Sequence, residues 1–244
     1  MSAAEQVPAG EAERMERVLD AAAELLVRWG YRRVTVEDVA RQAGVGKGTV
    51  YLHVRTKDAL FLTVLLRAQR RLFADLADRM VVDPGIALPW RMSRLVYERL
   101  RVDDVSRALY LGDAEVLGRL AHEAAGTLRD LAGRRTVVVR EHFRLLRGAG
   151  LVDTATSADE QIHTWGAVTY GFFATAGAGP EQDPFTPRDP QRRAELLERA
   201  LRAALGGDGP AGDEIPAAEV AEQVAGLYRP LVEHIDTEWR RRIR

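Results

Sequence analysis

The chain has 244 residues, 46% hydrophobic, 29% charged and 7% aromatic, a balance that supports a buried core and excludes a disordered chain. Formal net charge is −1, so the chain as a whole is no polybasic nucleic-acid binder, and any affinity for DNA must come from local charge. The absence of cysteine removes disulfides, thiol nucleophiles, iron–sulfur clusters and thiolate-bound zinc, and favours a reducing compartment.

Residues 1–13 lack the basic start and apolar run of a secretory signal, and no stretch of about 18 apolar residues is present to span a bilayer. A cytoplasmic protein without membrane segments is expected. Met15, Val18, Leu19, Ala22, Leu25, Leu26 and Trp29 then recur at three- and four-residue steps, which predicts a helix over about 11–29 ended by Gly30. Thr35 followed by Asp38 has the spacing of a capping box, opening a short helix through Val36, Val39 and Ala40 that stops at Gly44. A third helix starts at Gly46 or Lys47 and runs to Val54, and Thr56 caps a fourth that lasts to the Asp83-Pro84-Gly85 turn.

Beyond that turn, helices are predicted near 88–101, 103–111, 114–148, 157–177, 189–205 and 216–242. The β-branched run Thr136 to Val139 has helical flanks and is read as helix. The Pro-rich stretch 178–188 and the Gly-rich stretch 206–216 are read as loops. The expected fold class is all-α. Charge divides along the chain: Ala12 to Leu72 holds twelve Lys/Arg against seven Asp/Glu, a basic segment on an acidic body.

The second and third helices, joined through Gly44-Val45-Gly46, have the spacing of a helix-turn-helix. Reading DNA with the third helix requires apolar residues on one side and polar or small residues on the other. Val50 and Val54 fall on the first, Lys47, Gly48 and Tyr51 on the second. Only two of the basic residues are lysines, and these are Lys47 and Lys57. Taken singly, either is equally readable as a solvated surface lysine, Tyr51 and His53 as packing residues, Thr35 as a cap and Thr49 as a surface residue.

The run from Thr35 to Phe61, TVEDVARQAGVGKGTVYLHVRTKDALF, resembles the DNA-binding domain of TetR-family transcriptional regulators. The similarity covers about residues 12–72 and departs from the family pattern at Gly46, where serine is frequent, and at Val54, where phenylalanine is usual. It implies that Gly46 caps a recognition helix whose Lys47 and Gly48 face bases. It also implies phosphate contacts for Thr35, Thr49, Tyr51, His53 and Lys57, and a base-facing position for Glu37. By the same resemblance, residues 73–244 form a larger helical regulatory domain that dimerises and encloses an effector pocket.

From the residues themselves, Ser157 and Glu160 form a second capping box, opening a helix with Ile162, Trp165, Thr169, Phe172 and Phe173 at helical spacing. Gly166 and Gly171 on that helix would admit a close neighbour, as at a dimer seam or a pocket wall. Trp90, Tyr97, His122, His142, Phe143, His163, Trp165 and Tyr170 are candidates to line an effector cavity, although aromatic residues at this spacing are ordinarily core. The basic end Trp239 to Arg244 suits either a DNA-touching arm or the negative end of a helix dipole.

Catalytic readings find little support. Gly44-Val-Gly-Lys-Gly-Thr49 fails as a phosphate loop, because Arg41 stands where its first glycine belongs and Gly48 where Ser or Thr belongs. Neither G-x-S-x-G nor H-E-x-x-H occurs, and the five histidines are scattered. The expected protein is a homodimeric DNA-binding regulator, a repressor released from a palindromic operator by a small molecule, without enzymatic activity, metal or cofactor. A regulator without an effector, and a helical ligand-modifying enzyme, are the alternatives.

Overall fold

The computed structural model describes residues 9–102, 114–175, 184–206 and 215–242. The predicted helix at 103–111 lies outside the described residues, as do large parts of the two expected loops. Among the described residues there are nine α-helices, one 3-10 turn and no strand. The helices are α1 (Ala9–Arg33), α2 (Val36–Gln42), α3 (Lys47–His53), α4 (Lys57–Val82), α5 (Pro89–Val102), α6 (Ala114–Gly148), α7 (Ala158–Thr175), α8 (Pro190–Leu205) and α9 (Ala218–Arg240), with the 3-10 turn at Pro84–Ala87.

Packing divides the chain into two compact units that do not follow chain order. The first is drawn from the described residues to Arg70, with 114–128 and 234–242, and the second from 71–102, 129–175, 184–206 and 215–233. Segments late in the chain thus belong with the N-terminal helices in the first unit.

In the first unit, Met15, Val18, Leu19, Ala22, Leu25 and Leu26 of the predicted α1 stripe are buried, while Trp29, its last member, is 39% exposed beside the Gly30 break. α1 packs on α2 and α3, and Val36, Val39 and Ala40 of α2, Val50 of α3 and Leu60, Phe61 and Val64 of α4 are buried as well. Each large apolar side chain so removed from water stabilises by about 1.5–3 kcal/mol. Gly30 has φ 75° and ψ 160°, a conformation outside the helix and open to glycine, so the regular helix ends there as the sequence predicts and a short turn continues to Arg33. The bend places Tyr31 edge-on against Phe61, with ring centroids 5.3 Å apart. Arg67 of α4 is buried between Glu16 (2.7 Å) and Asp20 (2.8 Å) of α1, which ties the two helices together.

In the second unit, α5 packs on α8 and on the 3-10 turn, and α7 on α8. Trp90, Phe143, Leu146, Leu197, Leu201 and Tyr228 are buried there. The run Thr136 to Val139 lies within α6, and the Thr136 hydroxyl is satisfied by the Ala132 carbonyl at 2.9 Å, which offsets its weak helix preference. The second capping box forms as predicted: the Ser157 amide donates to Glu160 Oε2 at 2.8 Å and the Glu160 amide to Ser157 Oγ at 3.3 Å.

His142 is wholly buried where α6 meets the 3-10 turn and α9. Its Nε2 lies 2.7 Å from the Ala87 carbonyl and its Nδ1 3.0 Å from the Tyr228 hydroxyl. A carbonyl only accepts, so Nε2 carries the proton and the Tyr228 hydroxyl donates to Nδ1. Burial lowers the pKa of this imidazole from 6.5 to about 4, partly opposed by the carbonyl contact, and the ring is neutral at pH 7.

Candidate nucleic-acid interface

Two local devices set the angle between α2 and α3. At the start of α2, the Asp38 amide donates to Thr35 Oγ1 at 3.2 Å while the Thr35 amide donates to Asp38 Oδ2 at 3.1 Å, the predicted capping box. At its end, Gly44 takes φ 67° in a Schellman turn, with Val45 N–H to Ala40 O at 3.0 Å and Gly44 N–H to Arg41 O at 3.3 Å. Two residues later Gly46 (φ −70°, ψ 145°) opens α3, its carbonyl accepting from the Thr49 and Val50 amides. Gly46 caps through its backbone alone, with no side-chain hydrogen bond.

The two sides of α3 separate as the sequence reading required. Val50 and Val54 are buried, while Lys47, Gly48 and Tyr51 are exposed and nothing stands within 4 Å of a Cβ at Gly48. His53 departs from expectation: at 5% exposure it sits with Val50 on the packed side and supports α3 from behind instead of joining the exposed row. Conversely, the sequence reading passed over Leu52, whose side chain is 75% exposed. The signal was available, since Leu52 follows Gly48 by one helical turn.

Charge on this surface is paired. Lys47 of α3 forms an ion pair with Glu37 of α2, both about half exposed, and its ammonium lies 5.6 Å from the centroid of the Tyr51 ring. The contact holds the Glu37 carboxyl below its usual range and raises the Lys47 ammonium. Asp38 is lowered chiefly by its bonds from the Thr35 hydroxyl and amide, and it also pairs with Arg41. Thr35 is exposed and Thr49 half-buried. Lys57, at the first position of α4, rests over the Tyr31 ring at 4.3 Å and reaches the Arg32 carbonyl at 3.5 Å, while the Thr56 hydroxyl caps α4 through the Ala59 amide at 3.0 Å.

Apart from His122, which belongs to the first unit, the candidate effector residues lie in the second and divide into two sets. Trp90, Tyr97 and Phe143 are buried, Tyr97 stacks on Phe173 at 5.4 Å and Phe143 meets Trp165 at 5.8 Å. Trp165 donates from Nε1 to Ser93 Oγ at 2.8 Å, and Ser93 Oγ lies 3.4 Å from the Thr169 hydroxyl. Tyr170 is 66% exposed and stands apart from them, as does the exposed His163. The His122 side chain lies outside the described residues. Among the described residues no group of three or more His, Asp or Glu could hold a metal ion, and no helix is long and apolar enough to cross a membrane.

Residues 18–64 match the model of the family described as bacterial regulatory proteins, tetR family. Among curated relatives, the chain is 37% identical to the HTH-type transcriptional regulator SrpR of Pseudomonas putida over 34% of this chain and 37% of that protein. It is 33% identical to the HTH-type transcriptional repressor Rv1474c of Mycobacterium tuberculosis over 48% of this chain and 66% of the relative. The chain therefore spans little more than a third of SrpR and less than two thirds of Rv1474c. The solved complex of SmeT, the repressor of a Stenotrophomonas maltophilia multidrug efflux pump, with triclosan shares the fold at TM-score 0.58 and 21% identity, over 81% of this chain and 93% of that one. The capped α2, the glycine turn, the two-sided α3 and the match over the same residues agree, and residues 18–64 form a helix-turn-helix domain of the kind that the tetR family of bacterial regulatory proteins carries.

Proposed function

We propose that the chain is a cytoplasmic, homodimeric transcriptional repressor that binds a palindromic operator and is released by a small molecule, with no catalytic role. The observation that carries the DNA reading is the exposed row Lys47, Gly48 and Tyr51 on a short helix whose opposite side is buried. In this reading Lys47 donates to guanine O6 or N7 and Gly48, without a Cβ, lets the helix approach the base edges. Thr35, Thr49, Tyr51 and Lys57 bind phosphates and fix the orientation of the helix, Gly46 opens it and His53 braces it from behind.

A dimer is supported by α7. Its exposed positions His163, Gly166, Ala167, Tyr170, Gly171 and Ala174 form one stripe, and no Asp, Glu, Lys or Arg occurs from Gln161 to Thr175. A Cβ built at Gly166 or Gly171 meets nothing within 4 Å, so both positions are open to a second helix. Two α3 helices on one duplex face would stand about 34–36 Å apart, or a multiple, which requires a near-palindromic site. An effector reading draws on the SmeT complex with triclosan and on the aromatic and hydroxyl residues Trp90, Tyr97, Phe143, Trp165, Ser93 and Thr169. Such a molecule acts through its preference for one spacing of the two reading heads, a coupling of about 1–3 kcal/mol.

The test is selection of bound duplexes from a random library by the purified protein, beside a Lys47→Ala/Tyr51→Ala variant. Enrichment of a palindrome by the parent and not by the folded variant is the expected result. A parent that enriches no sequence after extraction of bound small molecules overturns the reading.

A further inference from the structure

The exposed face of the helix-turn-helix carries an acid beside the lysine that would enter the major groove. Lys47 is the first residue of α3, where a cation is disfavoured by the helix dipole, and the carboxylate that compensates it comes from Glu37 of the preceding helix. The neighbouring acid, Asp38, is committed to the capping box and to Arg41. Glu37 thus projects from the first turn of α2 with Lys47 as the partner of its carboxylate. A net-neutral pair at this place is costly for plain phosphate attraction, because the carboxylate cancels the pull of Lys47 and repels the duplex. An ammonium and a carboxylate held side by side do match the order of groups on a G·C pair. Its major-groove edge presents two adjacent acceptors, guanine N7 and O6, followed by the cytosine N4 donor, whereas an A·T pair sets its one donor, adenine N6, between two acceptors.

We infer that Glu37 and Lys47 act as one reading unit for a single G·C pair in each half-site, Lys47 donating to guanine O6 and N7 together and Glu37 accepting from cytosine N4. The inference rests on the DNA-binding reading above and adds the ligand chemistry of this pair. At an A·T pair the N6 donor lies between two acceptors, so the ammonium keeps one acceptor instead of two; at a reversed pair the carboxylate faces a guanine oxygen, and at non-specific DNA it keeps Lys47 occupied. Glu37 therefore raises discrimination by weakening wrong complexes as well as by favouring the right one.

The full-length parent, Glu37→Ala, Lys47→Ala and the double variant are compared on three duplexes: the sequence the parent selects, the same sequence with one G·C replaced by A·T in each half-site, scanned position by position, and a random duplex. Both residues are exposed, and thermal melts confirm that the variants fold. At one position Glu37→Ala and Lys47→Ala each reduce discrimination about fivefold or more, and the double variant loses no more than the larger single loss, as one unit requires. On random duplex Glu37→Ala binds tighter than the parent, with a log–log salt slope steeper by up to about 0.9 per subunit. Additive losses at different positions, or a Glu37→Ala variant with unaltered discrimination and unaltered random-duplex affinity, overturn the paired reading and leave DNA binding standing. A parent that selects no sequence overturns the DNA-binding reading and this inference with it.

Discussion

The helix-turn-helix surface of the first unit and the aromatic interior of the second use polar groups in opposite ways. In the first, the polar contacts of α2 and α3 lie at the surface, where the Thr35 box, the Glu37–Lys47 pair and Lys57 over Tyr31 hold side chains in place without enclosing them. In the second, the polar groups are inside: His142 bridges Ala87 and Tyr228, and Trp165 donates to Ser93 among aromatic rings. A surface that must meet a polyanion needs pre-set, solvated charges, whereas buried hydrogen bonds among aromatics fix how long helices pack. Substitutions should therefore reach function directly in the first unit and through stability in the second.

The largest expected effect sets a buried ring against an exposed one. Phe143 is fully buried against Trp165, and Phe143→Ala should lose about 3–5 kcal/mol in urea unfolding. Tyr51 is 42% exposed, and Tyr51→Ala should stay within about 0.5 kcal/mol of the parent while weakening DNA binding. Comparable stability losses at the two sites would erase the contrast between the units.

The pH response sharpens the same contrast. The buried His142 imidazole is neutral down to about pH 4, whereas in the unfolded chain it takes up a proton below 6.5. Unfolding therefore binds a proton between those values, so the stability this ring contributes is complete above pH 6.5 and falls as pH drops towards 4. At pH 5 the loss is about 2 kcal/mol relative to pH 7, read as a drop in urea midpoint. His142→Phe, less stable at pH 7 because Ala87 O and Tyr228 lose a partner, should lose correspondingly less on acidification. An identical pH dependence in both proteins would show that other groups carry the acid sensitivity.

The same contrast explains what could be read from the sequence. Caps and turns are local, so Thr35 with Asp38, Ser157 with Glu160 and the stops at Gly30 and Gly44 were legible from spacing alone, as was the division of α3 into a buried and an exposed side. His53 was misplaced because helical spacing gives a side chain's direction but not what packs over it, and Leu52, although one turn after Gly48, was missed because a leucine is ordinarily read as core. The Glu37–Lys47 pair joins residues ten apart across a turn, and its existence depends on the angle that the Gly44 turn sets. In the second unit the aromatic candidates were all visible, but their sorting into buried Trp90 and Phe143 and exposed Tyr170 comes from contacts distant in sequence.

Lys57 provides a smaller effect confined to binding. If its ammonium, poised over Tyr31, takes a phosphate, Lys57→Ala should flatten the salt dependence of log K by about 0.9 per subunit and leave the selected sequence unchanged. An unaltered slope would assign Lys57 to packing over Tyr31 alone, with a small fall in melting temperature as its signature.

At Thr35 a cap and a proposed DNA contact coincide in one hydroxyl, so the binding effect to be resolved is the smallest. Thr35→Ala removes the acceptor for the Asp38 amide and should cost about 1 kcal/mol, a large share of the stability of a helix only seven residues long. Weaker DNA binding by that variant would not separate a lost phosphate contact from a frayed α2. Thr35→Asp/Asp38→Asn, measured against Asp38→Asn, does separate them. The Thr35 hydroxyl also donates to Asp38 Oδ2 at 2.6 Å, so an aspartate at 35 needs an amide in place of that carboxylate. Aspartate is as good a cap as threonine and suits the positive end of the helix dipole, but it places a negative charge where a phosphate would lie. If Thr35 meets DNA, the double variant should keep the urea stability of Asp38→Asn and bind worse than it, most clearly at low salt where the repulsion is least screened. If the hydroxyl serves only α2, the two should match in both stability and DNA affinity, and the surface that meets the duplex then begins beyond α2's cap, at Glu37.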